Sequence, residues 1–164
     1  MTDIDPSAAG APASFVPPCG IDDPRIHTFG LLLEAHARLS RSLDAELQES
    51  DDISLQTFEV LLRIARSERG RVTMSGLADS VSITTGGVTR LADRLEKDGL
   101  VERVSCPSDR RVTYLALTEQ GHHTLAVATQ NHLVSLDRHV ASRIEPSDLD
   151  SVQRALDTLR TPLD

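Results

Sequence analysis

At 164 residues the chain has the length of a single domain, and enough of it to bury a sizeable core. Its 17 Lys+Arg against 25 Asp+Glu give a formal net charge of −8 at pH 7, which excludes a uniformly basic nucleic-acid coat. No run reaches the roughly 18 apolar residues of a membrane span and no basic-plus-apolar leader opens the sequence, so a cytoplasmic chain with no membrane partner is expected. Two cysteines, Cys19 and Cys106, cannot build a disulfide framework or a zinc finger. Tryptophan is absent and aromatics make up 2% of the chain, so stacking platforms for single strands cannot be assembled.

The charge is unevenly distributed. Residues 1–65 carry 4 Lys+Arg against 11 Asp+Glu, a net of −7, and residues 112–164 carry 4 against 7, a net of −3. Residues 66–111 reverse the sign, with 9 (Arg66, Arg69, Arg71, Arg90, Arg94, Lys97, Arg103, Arg110, Arg111) against 7, a net of +2. Phosphate binding depends on where cations sit, so a basic centre between acidic flanks keeps duplex DNA open as a partner.

Residues 1–22 hold four prolines and no periodicity, and read as a disordered or loosely docked arm. Residues 23–164 read as one domain. A first helix is predicted over 24–49, with Ile26, Phe29, Leu33, His36, Ser40, Leu43 and Leu47 at three- and four-residue steps, broken by the segment QESDDIS. Ser54 is the expected N-cap of a second helix marked by Phe58, Leu61, Leu62 and Ile64 and ending near Gly70. A short β-like step, Arg71 to Thr73, precedes a compact helix from Met74 to Val81 with Leu77, Ala78 and Val81 inward.

A further helix is predicted from Thr85 to Asp98, with Thr84 as N-cap, Val88, Leu91 and Leu95 as its buried stripe, and Gly99 as its stop. Two short helices across a tight turn are the helix-turn-helix pattern. Strands over 100–105 and 112–117 around the turn CPSDRR make a hairpin wing. Thr84, Thr85, Thr89, Arg90 and Arg94 lie opposite or beside the apolar stripe and offer hydroxyls and guanidiniums to phosphates and base edges. Gly86 and Gly87 each cost a helix about 1 kcal/mol. Either they let the helix N-terminus approach DNA closely or they relieve crowding against the neighbouring helix. At the wing tip, Arg111 suits the minor groove with Asp109 fixing its pose, and Arg110 suits phosphate.

Beyond Thr118 a long helix is expected with Leu125, Leu133, Leu136, Val140 and Ile144 along one side. Pro146 then starts another, with Leu149, Val152, Leu156, Leu159 and Leu163 forming a seam that calls for a partner helix. The fold class is therefore mainly α with a small β-wing, in the order α-α-(β)-α-α-β-β-α-α. A winged helix-turn-helix lobe (54–117) joins a helical dimerisation body (24–49 and 118–164). No Ser/His/Asp or Cys/His arrangement, phosphate-cradling glycine loop or catalytic carboxylate pair can be placed on these elements, so no enzyme is expected.

The stretch GGVTRLADRLEKDGLVERVSCPSDRRVTYLALTEQG resembles the signature of the multiple-antibiotic-resistance-regulator (MarR) family, and the flanking helices extend the likeness from about Pro24 to Arg160. The resemblance implies a homodimeric regulator, most commonly a repressor. Its two recognition helices would enter successive major grooves of a pseudo-palindromic operator, and its wings the minor grooves. It also implies that Asp109 and Arg111 pair on the wing, and that Thr85, Gly86, Gly87, Thr89 and Arg90 contact DNA. Family members take small, often aromatic or carboxylate effectors between dimerisation helices and DNA-binding lobe; here the polar candidates are His36, Ser40, His132 and His139. No cofactor is expected. Histidine spacing gives no metal pair on one helix, and the first helix has no sensing cysteine; a regulator responding to a metal, or to oxidation at Cys106 in the wing turn, stands as an alternative reading. A winged helix serving protein contacts alone is the other, and a salt titration of duplex binding separates it.

Overall fold

The computed structural model describes residues 20–81, 85–106, 109 and 111–161, with side chains at 79–81, 85 and 86 left aside. Among the described residues, six helices and three strands run in the order α1 (Pro24–Asp51), α2 (Leu55–Arg66), β1 (Arg71–Thr73), α3 (Met74–Val81), α4 (Thr85–Lys97), β2 (Val101–Ser105), β3 (Thr113–Leu117), α5 (Glu119–His139) and α6 (Pro146–Arg160), with a 3-10 turn at Ala141–Arg143 before α6. Mainly helical with a small antiparallel sheet, this is the expected class. Contacts divide the chain into residues 1–37 and 38–164.

In the first unit, α1 begins at Pro24 with Asp23 ahead of it. Its Oδ1 accepts from the Arg25 backbone N–H at 2.8 Å, and its carboxylate pairs with the Arg25 guanidinium at 2.7 Å. Ile26, Phe29, Leu31, Leu32 and Leu33 are all exposed.

The second unit holds the core. α1 continues through Gln48 to Asp51 rather than stopping at 49, because Asp52, in a left-handed conformation (φ 55°), is where the chain turns. Its Asp44 Oδ1 accepts from the first amide of α2, Leu55, at 2.8 Å. Ser54 caps α2 as expected, its side chain accepting from Thr57 N at 3.1 Å. That helix ends at Arg66 and not near Gly70. Ser67 N–H bonds the Ile64 carbonyl, and Gly70, with φ 62°, turns the chain into β1. Thr73 Oγ1 accepts from Gly76 N at 3.0 Å and so caps α3.

The β step at 71–73 is a full sheet member. The strand order is β1-β3-β2, all antiparallel, with Thr73 opposite Tyr114, and Val101 opposite Leu117. The Arg71 guanidinium lies 4.5 Å from the Tyr114 ring centre, which places that cation on an aromatic face. Val60, Leu61 and Ile64 of α2, Leu77 of α3, Val88, Leu91, Ala92 and Leu95 of α4, and Leu115 of β3 close one core. The stripe read on α4 is therefore buried, with Ala92 added to it.

The α5 stripe differs from expectation. Its buried residues are Gly121, Leu125, Ala128, His132 and Ser135, whereas Leu133 is exposed, Val140 is already the C-cap and Ile144 lies past the helix. The reason is chemical. Ser135 and His139 turn inward to Glu46 of α1, with His139 Nε2 at 2.7 Å from Glu46 Oε1, and the His132 ring lies tilted against Phe58 of α2, the ring centres 4.5 Å apart. α6 has no buried residue, and Val152, Leu156 and Leu159 of its apolar seam are exposed.

Candidate nucleic-acid interface

Hydrophobic burial sets the orientation of α4. With Val88, Leu91, Ala92 and Leu95 inward, the 3.6-residue period turns two rows outward: Thr89, Asp93 and Glu96, and beside them Arg90, Arg94 and Lys97. The second row carries three cations at i, i+4 and i+7. None of the three makes an ion pair or side-chain hydrogen bond among the described residues.

The end of α4 fixes the wing. Gly99 has φ 72°, a conformation that leads the chain from the helix into β2, and Leu100 N–H bonds the Leu95 carbonyl at 2.9 Å. Thr118 secures the far side of the hairpin, its Oγ1 donating to the Gly99 carbonyl at 2.6 Å and accepting from Gly121 N at 3.0 Å. A Cβ on Gly121 would sit 2.0 Å from the Leu100 carbonyl oxygen, so only glycine lets α5 approach this corner. The family-like L-T-E-x-G run therefore locks α4, wing and α5 together.

At the tip, Cys106 N–H bonds the Val112 carbonyl and Val112 N–H bonds the Asp109 carbonyl, both at 3.0 Å. Asp109 Oδ1 accepts from the Arg111 amide at 3.0 Å and lies 3.4 Å from its Nε. The Arg111 side chain is 94% exposed. The structure brings together the two residues read as a pair, a carboxylate orienting a guanidinium that otherwise faces solvent. Thr84 and Arg110 fall outside the described residues, and for Thr85 and Gly86 only the helical backbone is described. Gly87 is half-buried at the start of α4, and Thr89, Arg90 and Arg94 are exposed.

Sequence reading missed how the other central charges are used. Arg103 of β2 reaches back to α4, donating to Asp93 Oδ1 at 2.5 Å and to Glu96 Oε2. The hydrogen bond to Asp93 is the main reason its guanidinium is held above the ordinary arginine range. Seven and ten residues separate the partners, across a helix stop, so no helical spacing signals the pairing.

The effector candidates are dispersed. His36 is exposed in the first unit. In the second, Ser40 is half-buried and His132 is buried against Phe58 with no partner for Nδ1 among the described residues. Burial pushes the His132 pKa below its ordinary 6.5, against a weaker upward pull from Glu46. An open cavity of about 530 Å³ lies where α1, α2, α4 and α5 meet, lined by Arg94, Asp98, Asp52 and Gln120 among others, but by neither Ser40 nor His132. No group of three metal-ligating side chains occurs among the described residues.

Residues 53–113, from the start of α2 to the last wing strand, match the MarR family model. Over that stretch the chain is similar to the MarR family. An HTH-type transcriptional regulator of Bacillus cereus is 34% identical over 94 residues, 57% of this chain and 60% of that protein. The transcriptional repressor MprA of Escherichia coli is 28% identical over 113 residues, 68% of this chain and 64% of that protein. The match thus spans about three fifths of the length of these curated relatives. Among solved structures, the MarR-family regulator Sco3205 of Streptomyces coelicolor in complex with DNA superposes with a TM-score of 0.75 at 28% identity, covering 82% of this chain and 87% of that one. The matched stretch includes every residue of the outward rows on α4 and both members of the wing pair.

Proposed function

We propose that the protein is a sequence-specific, double-stranded-DNA-binding transcriptional regulator, acting as a homodimeric repressor on a pseudo-palindromic operator. On this reading α4 enters the major groove and the wing the minor groove. The observation that carries it is the unpaired row Arg90, Arg94 and Lys97 on the outer face of α4, beside a wing whose exposed Arg111 is oriented by Asp109. Thr84, Thr85, Gly86, Gly87, Thr89 and Arg110 complete the proposed contact surface. Sco3205, whose structure contains DNA, and MprA, a repressor, support the reading by likeness.

The dimer is proposed from apolar faces left open on single elements: Ile26, Phe29 and Leu33 of α1, and Val152, Leu156 and Leu159 of α6. Helix faces of that kind bury themselves against a second copy. Repression follows from steric exclusion of polymerase, in the cytoplasm where the chromosome lies. A small-molecule effector would act by shifting the α2–α5 contact that Phe58 and His132 form, with Ser40 as a further candidate contact; His36 is a separate candidate on its own part of α1.

Arg111→Ala tests the assignment. With a labelled duplex from directly upstream of the chain's own coding sequence, the variant should bind at least about tenfold more weakly than wild type, a loss of roughly 1.4 kcal/mol, while sedimentation still shows a dimer. Undiminished binding would overturn the wing assignment. No duplex binding by wild type would favour a module for protein contacts.

A further inference from the structure

We infer that Arg103 is a positioning residue for DNA binding: anchored also on Glu96, it holds Asp93 so that this carboxylate cannot pair with Arg90 or Lys97 of α4, and thereby keeps both available to phosphate. The inference rests on the DNA-binding reading given above.

Asp93 is three residues from Arg90 and four from Lys97, the spacings at which opposite charges on a helix surface meet. Left alone, its carboxylate would draw one of these cations. Instead the Arg103 guanidinium of β2 takes Asp93 Oδ1 at 2.5 Å with one nitrogen and Glu96 Oε2 with the other. Arg90, Arg94 and Lys97 are accordingly without ion pairs among the described residues.

The planar fork of arginine suits this task, since it satisfies two carboxylates in a fixed geometry as a single ammonium does not. All three side chains keep substantial solvent exposure, with Arg103 at 31% and its partners at 59% and 40%. Exposed ion pairs add little to folding stability, so the arrangement is not explained by holding the wing onto the helix. Its effect falls on the electrostatic face of α4. The helix itself carries three cations and two acids, a net of +1. Arg103 raises the local balance to +2 and directs the acids away from the cation row.

The test measures affinity of the full chain for the labelled upstream duplex between 50 and 200 mM salt, together with thermal unfolding. Arg103→Gln, which keeps the aliphatic stem, should lower affinity about fivefold to tenfold. It should flatten the salt slope by about one for each protomer, because one cation per protomer no longer neutralises a phosphate, and should leave the unfolding temperature nearly unchanged. Adding Asp93→Asn and Glu96→Gln to that variant should restore both affinity and slope, since the carboxylate within reach of Arg90 and Lys97 is then gone. The same two substitutions with Arg103 intact should bind at least as tightly as wild type, which keeps the test open if Arg103→Gln alone folds poorly. If the triple variant stays as weak as Arg103→Gln, or the acid-free double variant loses affinity, the inference is overturned and the DNA-binding reading stands. If wild type shows no salt-dependent duplex affinity, both fall together.

Discussion

Replacing Gly121 by alanine would drive a methyl group into the backbone of the wing corner. The added Cβ would lie 2.0 Å from the Leu100 carbonyl oxygen, where ordinary contact begins at 3.4 Å, so α5 and the β2 entry must separate by about 1.4 Å. That carbonyl cannot simply rotate away, because it accepts from Thr118 N–H at 3.2 Å, and Thr118 is itself bonded to Gly99. Overpacking of this kind costs about 1–3 kcal/mol, and the rigid backbone neighbour places it at the upper end. Alanine recovers at most about 1 kcal/mol of helix propensity. A net loss of about 2 kcal/mol corresponds to a fall of roughly 4–8 °C in unfolding temperature for a chain of this size. Scanning calorimetry reads it directly. An unfolding temperature equal to or above that of wild type would refute the tight-corner account, because propensity alone would then be acting.

Ser54→Ala should remove the α2 cap and lower stability by about 1 kcal/mol, seen as a fall of roughly 2–4 °C, with duplex affinity at low temperature unchanged. For His132, burial lowers the folded-state pKa below 6.5, so the unfolded chain binds protons more readily. Its stabilisation is therefore present above pH 6.5 and lost as pH falls below that value. The urea midpoint should drop on acidification from pH 7 toward 5.5 in wild type, and less steeply in His132→Leu. Glu46 acts lower on the scale. Its hydrogen bonds from Ser135 and then His139 depress its pKa below 4.5, so its stabilisation is lost as pH falls below 4.5. Glu46→Gln should flatten the acid limb there.

What the sequence conveyed well were elements whose signals are local. The Val88, Leu91 and Leu95 stripe, the Gly99 stop and the Ser54 cap each depend on neighbours within a few residues, and each stands where the pattern put it. The inward face of α5 was misread because hydropathy favoured Leu133 and Val140. The buried positions there are Ala128, His132 and Ser135, chosen by partners on α1 and α2 that no helical period announces. β1 was read only as a step because its pairing with β3 spans some forty residues of chain. Arg103 was counted as one more central cation for the same reason. Its charge is spent on Asp93 and Glu96, a fact of tertiary placement.

On the proposed reading, the unpaired cations Arg90, Arg94 and Lys97 of α4 neutralise DNA phosphates. The salt dependence of wild-type affinity for the upstream duplex tests this most directly. With Arg90, Arg94 and Lys97 from each of two protomers, six phosphate contacts predict a slope of log affinity against log salt near −5. A slope near zero, or no measurable duplex binding at 50 mM salt, would contradict it.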